Sequence, residues 1–586
     1  MAPKSRGISV WWRRGTQLVF LALFLALFRR TEYTEGQLNG AVNLFFRADP
    51  LVAAAASLAS RTLIGLVWPA LIVVGLTLIF GRFFCGWVCP LGTLLDGANA
   101  VIPPLQSGPA KSRLRPARYL LLILILTAAL FGAPLVGYFD PFSLLTRGLA
   151  LAWDPALYAF VTAPLDWVFV NAPTWASNLT EPFNVFFKAH LLADKQSVFD
   201  LALLTGFILT GIFALERLER RYWCRNLCPL GGMLGLMSRV SLLRWQPGVA
   251  CRDCRDCRDV CRMGAIGDDG RIEPDSCTLC LDCVGGCKRS LIDFQFHRPK
   301  PKPAAIGVPR RVALGTFVAG LALPSLLKSR ALTRRPDIFL IRPPGARPEA
   351  TFLSRCVRCG ECMKVCPDNA LQPAWHEAGL EGAWTPVLKP RLGYCEFNCK
   401  FCGEVCPTGA IERLALPDKQ KLKIGRAFFD VNRCLPYARG IPCLVCEEHC
   451  PVSDKAIKLR LVKVFAPDGK LVTLKQPYLV PDKCIGCGIC EYKCPLPGEA
   501  GVRITSEGED RNPDAAPDFD PNAESFSEGS EGGAPSAGSP EGGSPEGGHS
   551  PEGGAPAGGA EGGGSSYPEN SGGREGGGSD NPESSH

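Results

Sequence analysis

Residues 251–261, CRDCRDCRDVC, and 277–287, CTLCLDCVGGC, carry two copies of the spacing C-x2-C-x2-C-x3-C. This is the spacing of a two-cluster ferredoxin: three closely spaced thiolates take three irons of one cubane, and the fourth reaches over to the other. One cluster is therefore expected on Cys251, Cys254, Cys257 and Cys287, and a second on Cys277, Cys280, Cys283 and Cys261. Zinc also takes C-x2-C pairs, but two triple-cysteine runs without histidine make a poor tetrahedral set. The proline that normally follows the fourth cysteine is replaced by Arg262 and Lys288. With Arg252, Arg255 and Arg258, these cations are expected to raise the cluster potentials.

Four further quartets follow between residues 350 and 500. They are Cys356, Cys359, Cys362 and Cys366; Cys395, Cys399, Cys402 and Cys406; Cys434, Cys443, Cys446 and Cys450; and Cys484, Cys487, Cys490 and Cys494. Here each last cysteine is followed by proline, at Pro367, Pro407, Pro451 and Pro495, as the ferredoxin pattern requires. The 28 cysteines divide into these six quartets and two C-x3-C-P pairs, Cys85/Cys89 and Cys224/Cys228. None is left for a disulfide framework, so the chemistry points to six [4Fe–4S] clusters.

Upstream of the quartets the chain is apolar in blocks. Spans are expected over Leu18 to Phe28, Thr62 to Phe80, Tyr119 to Tyr138 and Val198 to Leu215, the first being short enough to compete with a signal-peptide core. Arg82, Lys111, Arg113, Arg115 and Arg118 lie between the second and third, and Arg217, Arg220, Arg221 and Arg225 follow the fourth. That bias puts both loops on the cytoplasmic side. The apolar segment Leu144 to Val170 is broken by Arg147, Asp154 and Asp166, and is expected to be interfacial or re-entrant on the outer side.

The order of features repeats: span, Asp49-Pro50, span, CGWVCPLG (85–92), then span, Asp140-Pro141, span, CRNLCPLG (224–231). A parallel repeat implies a pseudo-two-fold axis that brings the two thiol pairs together. At i, i+4 spacing each pair lies on one helical face, with Pro90 or Pro229 marking a helix boundary. The four thiols fit three roles: a further metal centre, a dithiol relay, or buried packing. Arg310-Arg311 before the apolar run Val312 to Leu327 resembles a twin-arginine export signal, suited to a domain that folds around its clusters before it moves. A surface-lying helix at 312–327, with both ferredoxin parts cytoplasmic, is the competing reading. Residues 507–586 hold 17 acidic and 2 basic residues, repeat SPEGG, and are expected to be disordered. The remainder carries 62 basic against 39 acidic residues, an excess of +23 beside apolar segments that suggests membrane topology and not nucleic acid.

The expected organisation is a polytopic α-helical membrane domain of four helices with a pseudo-repeat (1–245), a two-cluster ferredoxin (246–296), a basic linker and fifth segment (297–345), a four-cluster α+β ferredoxin-like domain (346–506) and a disordered tail (507–586). The first part, with CGWVCPLG and CRNLCPLGG, resembles NapH-type membrane quinol dehydrogenases. The part from Arg310 to Pro495 resembles the exported NapG/MauM ferredoxin type, so the chain looks like a fusion of the two. The resemblance implies quinol oxidation in a bacterial inner membrane and electron delivery to a periplasmic reductase or cytochrome, with the two-cluster domain inside and the four-cluster domain outside. It also implies nested cluster pairing: Cys356, Cys359 and Cys362 with Cys494; Cys484, Cys487 and Cys490 with Cys366; Cys395, Cys399 and Cys402 with Cys450; and Cys434, Cys443 and Cys446 with Cys406. Haem-attachment, nucleotide-loop and NosR-type flavin-attachment motifs are absent. For the proton-removing quinol site the candidates are Asp49, Asp140 and His190, although Asp-Pro pairs more often cap helices. The alternative function is a redox maturation factor, since MauM/MauN-type and oxidase-assembly proteins share these motifs.

Overall fold

Proline and glycine punctuation decides where the apolar runs become helices. The computed structural model describes residues 5–32, 42–105, 114–190, 197–247, 256–267, 272–287, 292–296, 307–327, 337–465, 469 and 471–511. No proline interrupts 5–17, so helix α1 (Ser5–Arg30) starts well before the apolar run and reaches 26 residues. Helices α2 (Pro50–Ser60), α3 (Pro69–Phe80) and α4 (Pro90–Val101) each begin on a proline, where its missing N–H costs nothing. The expected span from Thr62 therefore opens with a 3-10 turn (Gly65–Val67) and is α-helical only from Pro69, and it stops at Gly81, whose φ is +79°. Likewise α5 (Ala117–Leu130) ends before Pro134 and not at Tyr138.

The segment expected to be interfacial or re-entrant is one continuous helix, without the break a re-entrant loop would need: α6 (Pro141–Gly148), a π turn (Leu149–Trp153) and α7 (Asp154–Asn171). Helix α8 (Thr174–His190) packs on α7. Then come α9 (Ala202–Ala214), α10 (Pro229–Ser238) and α11 (Arg310–Leu327). Among the described residues α11 is the one helix long and apolar enough to cross a membrane; α3, α5 and α9 have 12, 14 and 13 residues.

One apolar core joins α1 through Phe24 and Leu27, α2 through Leu51 and Val52, α5 through Ile125 and Ala128, α9 through Leu209 and Ile212, and α10 through Leu230 and Leu234. Phe142 of α6 sits at its centre, with ring centroids 5.9 Å from Phe45, 6.3 Å from Phe46 and 6.0 Å from Phe84. Each such fully buried side chain stabilises by about 1.5–3 kcal/mol. Helix α11 lies along α5, and at Gly320, where a Cβ would stand 1.8 Å from Thr127 Oγ1, only glycine fits against it.

The cysteine quartets build three small units on one plan. In each, chain before the first motif pairs antiparallel with chain after the second, and a hairpin connects the motifs. In the first unit β1 (Leu243–Pro247) pairs with β2 (Ile292–Phe296), and Ile266 bridges Ile272. The second has the bridge Ala346 to Ile411 and the hairpin β3 (Leu371–Pro373) with β4 (Pro386–Leu388). In the third β5 (Arg426–Phe429) pairs with β8 (Val502–Thr505) around the hairpin β6 (Ile457–Phe465) and β7 (Leu471–Leu479). The second and third units join through Cys395 N to Cys487 O at 2.8 Å and Ile424 N to Ile485 O at 3.0 Å. Ordered packing runs past the expected boundary at 506, since Arg511 pairs with Glu349 at 2.7 Å. Residues 512–586, expected to be disordered, lie outside the described residues.

Candidate iron–sulfur centres and the surfaces that carry them

Four partly open pockets are each lined by four cysteines among apolar neighbours. Cys261 joins Cys277, Cys280 and Cys283; Cys406 joins Cys356, Cys359 and Cys362; Cys366 joins Cys395, Cys399 and Cys402; and Cys494 joins Cys434, Cys443 and Cys446. Cys450 lies beside Cys484 and Cys487 and completes a fifth set with Cys490. For the sixth, Cys257 and Cys287 are buried, while Cys251 and Cys254 lie outside the described residues.

The nested pairing is not what the chain adopts. Each fourth cysteine serves the neighbouring motif of its own unit: the first two downstream motifs exchange Cys366 and Cys406, and the last two exchange Cys450 and Cys494. The reason is the closure just described. The bridge Ala346–Ile411 and the ladder β5–β8 each fold a pair of adjacent motifs face to face, so no fourth cysteine reaches across to the other pair.

These residues fit a cubane. The fourth cysteine of three sets accepts a backbone N–H: Cys261 from Ala265 at 3.3 Å, Cys406 from Ile411 at 3.4 Å and Cys494 from Gly501 at 3.3 Å. Hydrogen bonds to sulfur are one of the levers that set cluster potential. Burial pushes the Cys277 thiol up to about 12 and Cys280 up to about 11, so iron must displace protons that the fold alone would retain. No group of His, Cys, Asp or Glu among the described residues is tight enough to hold a single metal ion.

Arg262 does not act as a bare cation beside the clusters. It pairs with Asp96 at 2.8 Å and Asp282 at 2.5 Å, but these two carboxylates also serve Arg221 at 2.7 Å and Arg13 at 3.2 Å, so three arginines share two acids and one positive charge is left over.

The first and second units dock at opposite ends of the helices. At one end Arg13 of α1 meets Asp282, and Tyr119 at the start of α5 donates to Asp275 at 2.7 Å. At the other end Lys364 donates to Thr31 O at 3.3 Å, and Arg358 donates to Pro134 O at 2.7 Å beyond the end of α5. Eighteen residues of α1 separate Arg13 from Thr31, roughly 27 Å at 1.5 Å per residue.

Both contacts use the same local device. A C-x2-C loop presses its backbone onto a glycine, Thr278 O against Gly86 and Val357 O against Gly137, where a Cβ would stand at 2.3 Å and 2.2 Å. The next residue of each loop has positive φ, Leu279 at 52° and Arg358 at 54°. Its carbonyl accepts from a helical-part side chain, Leu279 O from Trp87 Nε1 at 3.0 Å and Arg358 O from Arg147 Nη1 at 3.3 Å. The cluster-bearing loops themselves are thus the docking surfaces.

Asp49 and Asp140 are fully buried N-caps. Asp49 accepts from Leu51 N and Val52 N, and Asp140 from Ser143 N. Asp49 Oδ2 and Asp140 Oδ1 are buried without a hydrogen-bond partner among the described residues. The side chain of His190, the third quinol-site candidate, lies outside the described residues.

The two C-x3-C pairs do not share a continuous helical face. Cys85 lies in a short turn (Phe84–Trp87) and Cys224 in a π turn (Trp223–Leu227), while Cys89 and Cys228 are extended N-caps. Pro90 and Pro229 begin the next helix. All four thiols are buried in the same core as Cys359. What the sequence reading missed is the arginine three residues before each pair, Arg82 and Arg221, both fully buried beside the sulfurs.

Comparison with known proteins bears on all three units. A family model described as a 4Fe-4S binding domain matches residues 62–107 and 199–248, another of that description matches 352–372 and 477–496, and the NosR model matches 249–289. The chain is 38% identical to the methylamine utilization ferredoxin-type protein MauM of Methylorubrum extorquens, over 34% of this chain and 88% of that one. It is 37% identical to the ferredoxin-type protein NapG of Escherichia coli, over 32% of this chain and 78% of that one. Protein NirI of Paracoccus denitrificans is 31% identical over 38% of this chain and 27% of its own length. No solved structure matches. With its cysteine-lined cavities and these relatives, the chain belongs to the MauM/NapG family of ferredoxin-type iron–sulfur electron-transfer proteins.

Proposed function

We propose that the protein is a membrane-bound quinol dehydrogenase component that passes electrons through six [4Fe–4S] clusters to an acceptor on the far side of the membrane. The observation that carries this reading is the docking of C-x2-C loops against both ends of one helical body, roughly 27 Å apart. A soluble carrier has no need of such a spacer. Helix α11, which begins with Arg310-Arg311 and lies along α5, is the segment that leads from one side to the other. The quinol donates to the helical part, which is an NapH-type module in this reading, and the four-cluster part serves a reductase or cytochrome, as expected of NapG-like proteins.

Each resident cubane would supply one-electron chemistry. The chain's residues position the clusters, exclude water from them and donate N–H bonds to their sulfurs. The fully buried Asp49 and Asp140 are the acids available to a quinol site in this reading, in addition to capping α2 and α6. The test is topological. Protease added to intact spheroplasts should digest residues 346–506 in wild type and leave them protected in a variant with Arg310→Lys and Arg311→Lys. Protection in both places the acceptor side in the cytoplasm and ends the reading.

A further inference from the structure

The third unit carries an arm that the other two lack. Its hairpin runs nine residues a side, Ile457–Phe465 against Leu471–Leu479, where the second unit has three a side and the first a single bridge. Among the described residues no third strand joins β6 and β7. Across the hairpin Leu459 faces Pro477, Leu461 faces Lys475, Lys463 faces Thr473 and Phe465 faces Leu471. Paired residues share a side and alternate residues repeat it, so these side chains lie on one face. At its base the face belongs to a cluster site, since Pro477 lines the pocket of Cys434, Cys443, Cys446 and Cys494. Further out it is open: Leu461 is 72% exposed, Phe465 74% and Leu471 58%.

The wide gap in the third downstream motif ties this arm to the pocket. Eight residues separate Cys434 from Cys443, and they form a π turn (Leu435–Arg439). Tyr437 of that turn donates to Pro477 O at 2.7 Å, and its ring stacks on Phe429 at 6.1 Å. The site at the base also ends a series. The second unit meets the helices through Val357 and Arg358, and it joins the third through Cys395 and Cys487, which belong to other sets. The set of Cys434, Cys443, Cys446 and Cys494 is left as the last.

The composition of the face says what it recognises. Large apolar side chains grouped in water mark a contact surface. Lys463 and Lys475 flank them, both exposed and without a carboxylate partner among the described residues. Residues 457–479 hold five basic residues, Lys458, Arg460, Lys463, Lys470 and Lys475, against one acid, Asp468. An apolar centre with a basic rim is complementary to an apolar patch with an acidic rim. We propose that the face of Leu461, Phe465 and Leu471 is the docking surface for the terminal electron acceptor, a protein whose redox centre lies behind such a patch. Bound there, the acceptor stands beside the last cluster site. One electron leaves the reduced centre at Cys434, Cys443, Cys446 and Cys494 and reduces the acceptor's oxidised centre, with no bond made or broken and no proton moved.

The inference rests on the electron-transfer function proposed above, but it is measured without quinol and whichever side of the membrane the unit faces. Full-length protein in detergent, reduced without air and freed of excess reductant, is mixed with oxidised plastocyanin, an acidic copper protein, or with a basic cytochrome c, and the bimolecular rate is followed by the acceptor's absorbance. The plastocyanin rate should fall with added salt. Changing Lys463 and Lys475 together to glutamate should lower it on the order of tenfold and leave the cytochrome c rate undiminished. Leu461→Ser with Phe465→Ser should lower the plastocyanin rate at high salt as well, because apolar contact is not screened. Unchanged cluster absorbance shows that the variants are folded and loaded. Transfer that ignores both variants overturns the docking surface and leaves electron transfer standing, whereas no transfer to either protein ends both. Three other occupants are read out alongside, and each overturns the proposal. Variants that act in detergent but not in nanodiscs of anionic lipid give the face to the membrane. A dimer by light scattering that Phe465→Ser breaks gives it to a second copy. Dependence on the hairpin that emerges only after removal of residues 512–586 gives it to the chain's own acidic segment.

Discussion

Arg358 is the clearest point at which to test how the outer unit is held. Its guanidinium is 2% exposed and donates to Pro134 O at 2.7 Å, Glu381 O at 2.5 Å, Ala383 O at 3.2 Å and Cys356 O at 3.3 Å, with Tyr138 stacked 4.4 Å away. Changing Arg358 to alanine leaves at least two short-bonded carbonyls buried without a donor, each costing about 1–3 kcal/mol. The cation–π contact adds about 1 kcal/mol. The expected loss is about 3–7 kcal/mol, which for the roughly 160-residue four-cluster part lowers the melting temperature by roughly 6–28 °C. The assay is thermal loss of cluster absorbance in detergent, without air, compared with Arg355→Ala, whose exposed bond to Thr62 Oγ1 should cost less than about 1 kcal/mol. Equal melting of the two variants would refute the claim that Arg358 anchors the interface.

Cluster pairing gives a second test. If Cys406 shares a cluster with Cys356, the double change to serine at both positions should lose no more iron than Cys406→Ser alone, while a loss about twice as large would restore the nested arrangement. Gly86→Ala places a Cβ 2.3 Å from Thr278 O, so the first ferredoxin unit should become markedly more sensitive to protease, and an unchanged digestion pattern would mean that this contact does not hold it. Glu349 supplies a pH dependence. Burial alone would raise its carboxyl, but Arg342 and Arg511 together hold it down to about 2. Its stabilisation is therefore present above the unfolded value of about 4.3 and is lost as pH falls toward about 2. Arg511→Ala should lower the melting temperature near neutrality, with the gap from wild type closing on acidification; a gap that widens contradicts this ion pair.

Cluster chemistry is written locally in this chain. Spacings such as 277–280–283 and 356–359–362 specify three ligands of a cubane because one turn of backbone sets the distance between them. The same locality makes Asp49 and Asp140 legible as caps, since an N-cap needs only the next three residues. The crossed set of Cys261 with Cys277, Cys280 and Cys283 was legible because only two motifs stand there, but which of the four downstream motifs pair was not. The partner of Cys406 is decided by the bridge Ala346–Ile411, about sixty residues apart in sequence, and the partner of Cys494 by the ladder β5–β8. Helix limits fell between these extremes: apolar runs marked the positions, but Pro69, Gly81 and Pro134 shortened two of them. The crossed bonds of Arg82 to Cys224 O and of Arg221 to Cys85 O were visible only once two segments some 140 residues apart packed together. A buried cation takes its meaning from what it faces, and sequence order does not say what faces what.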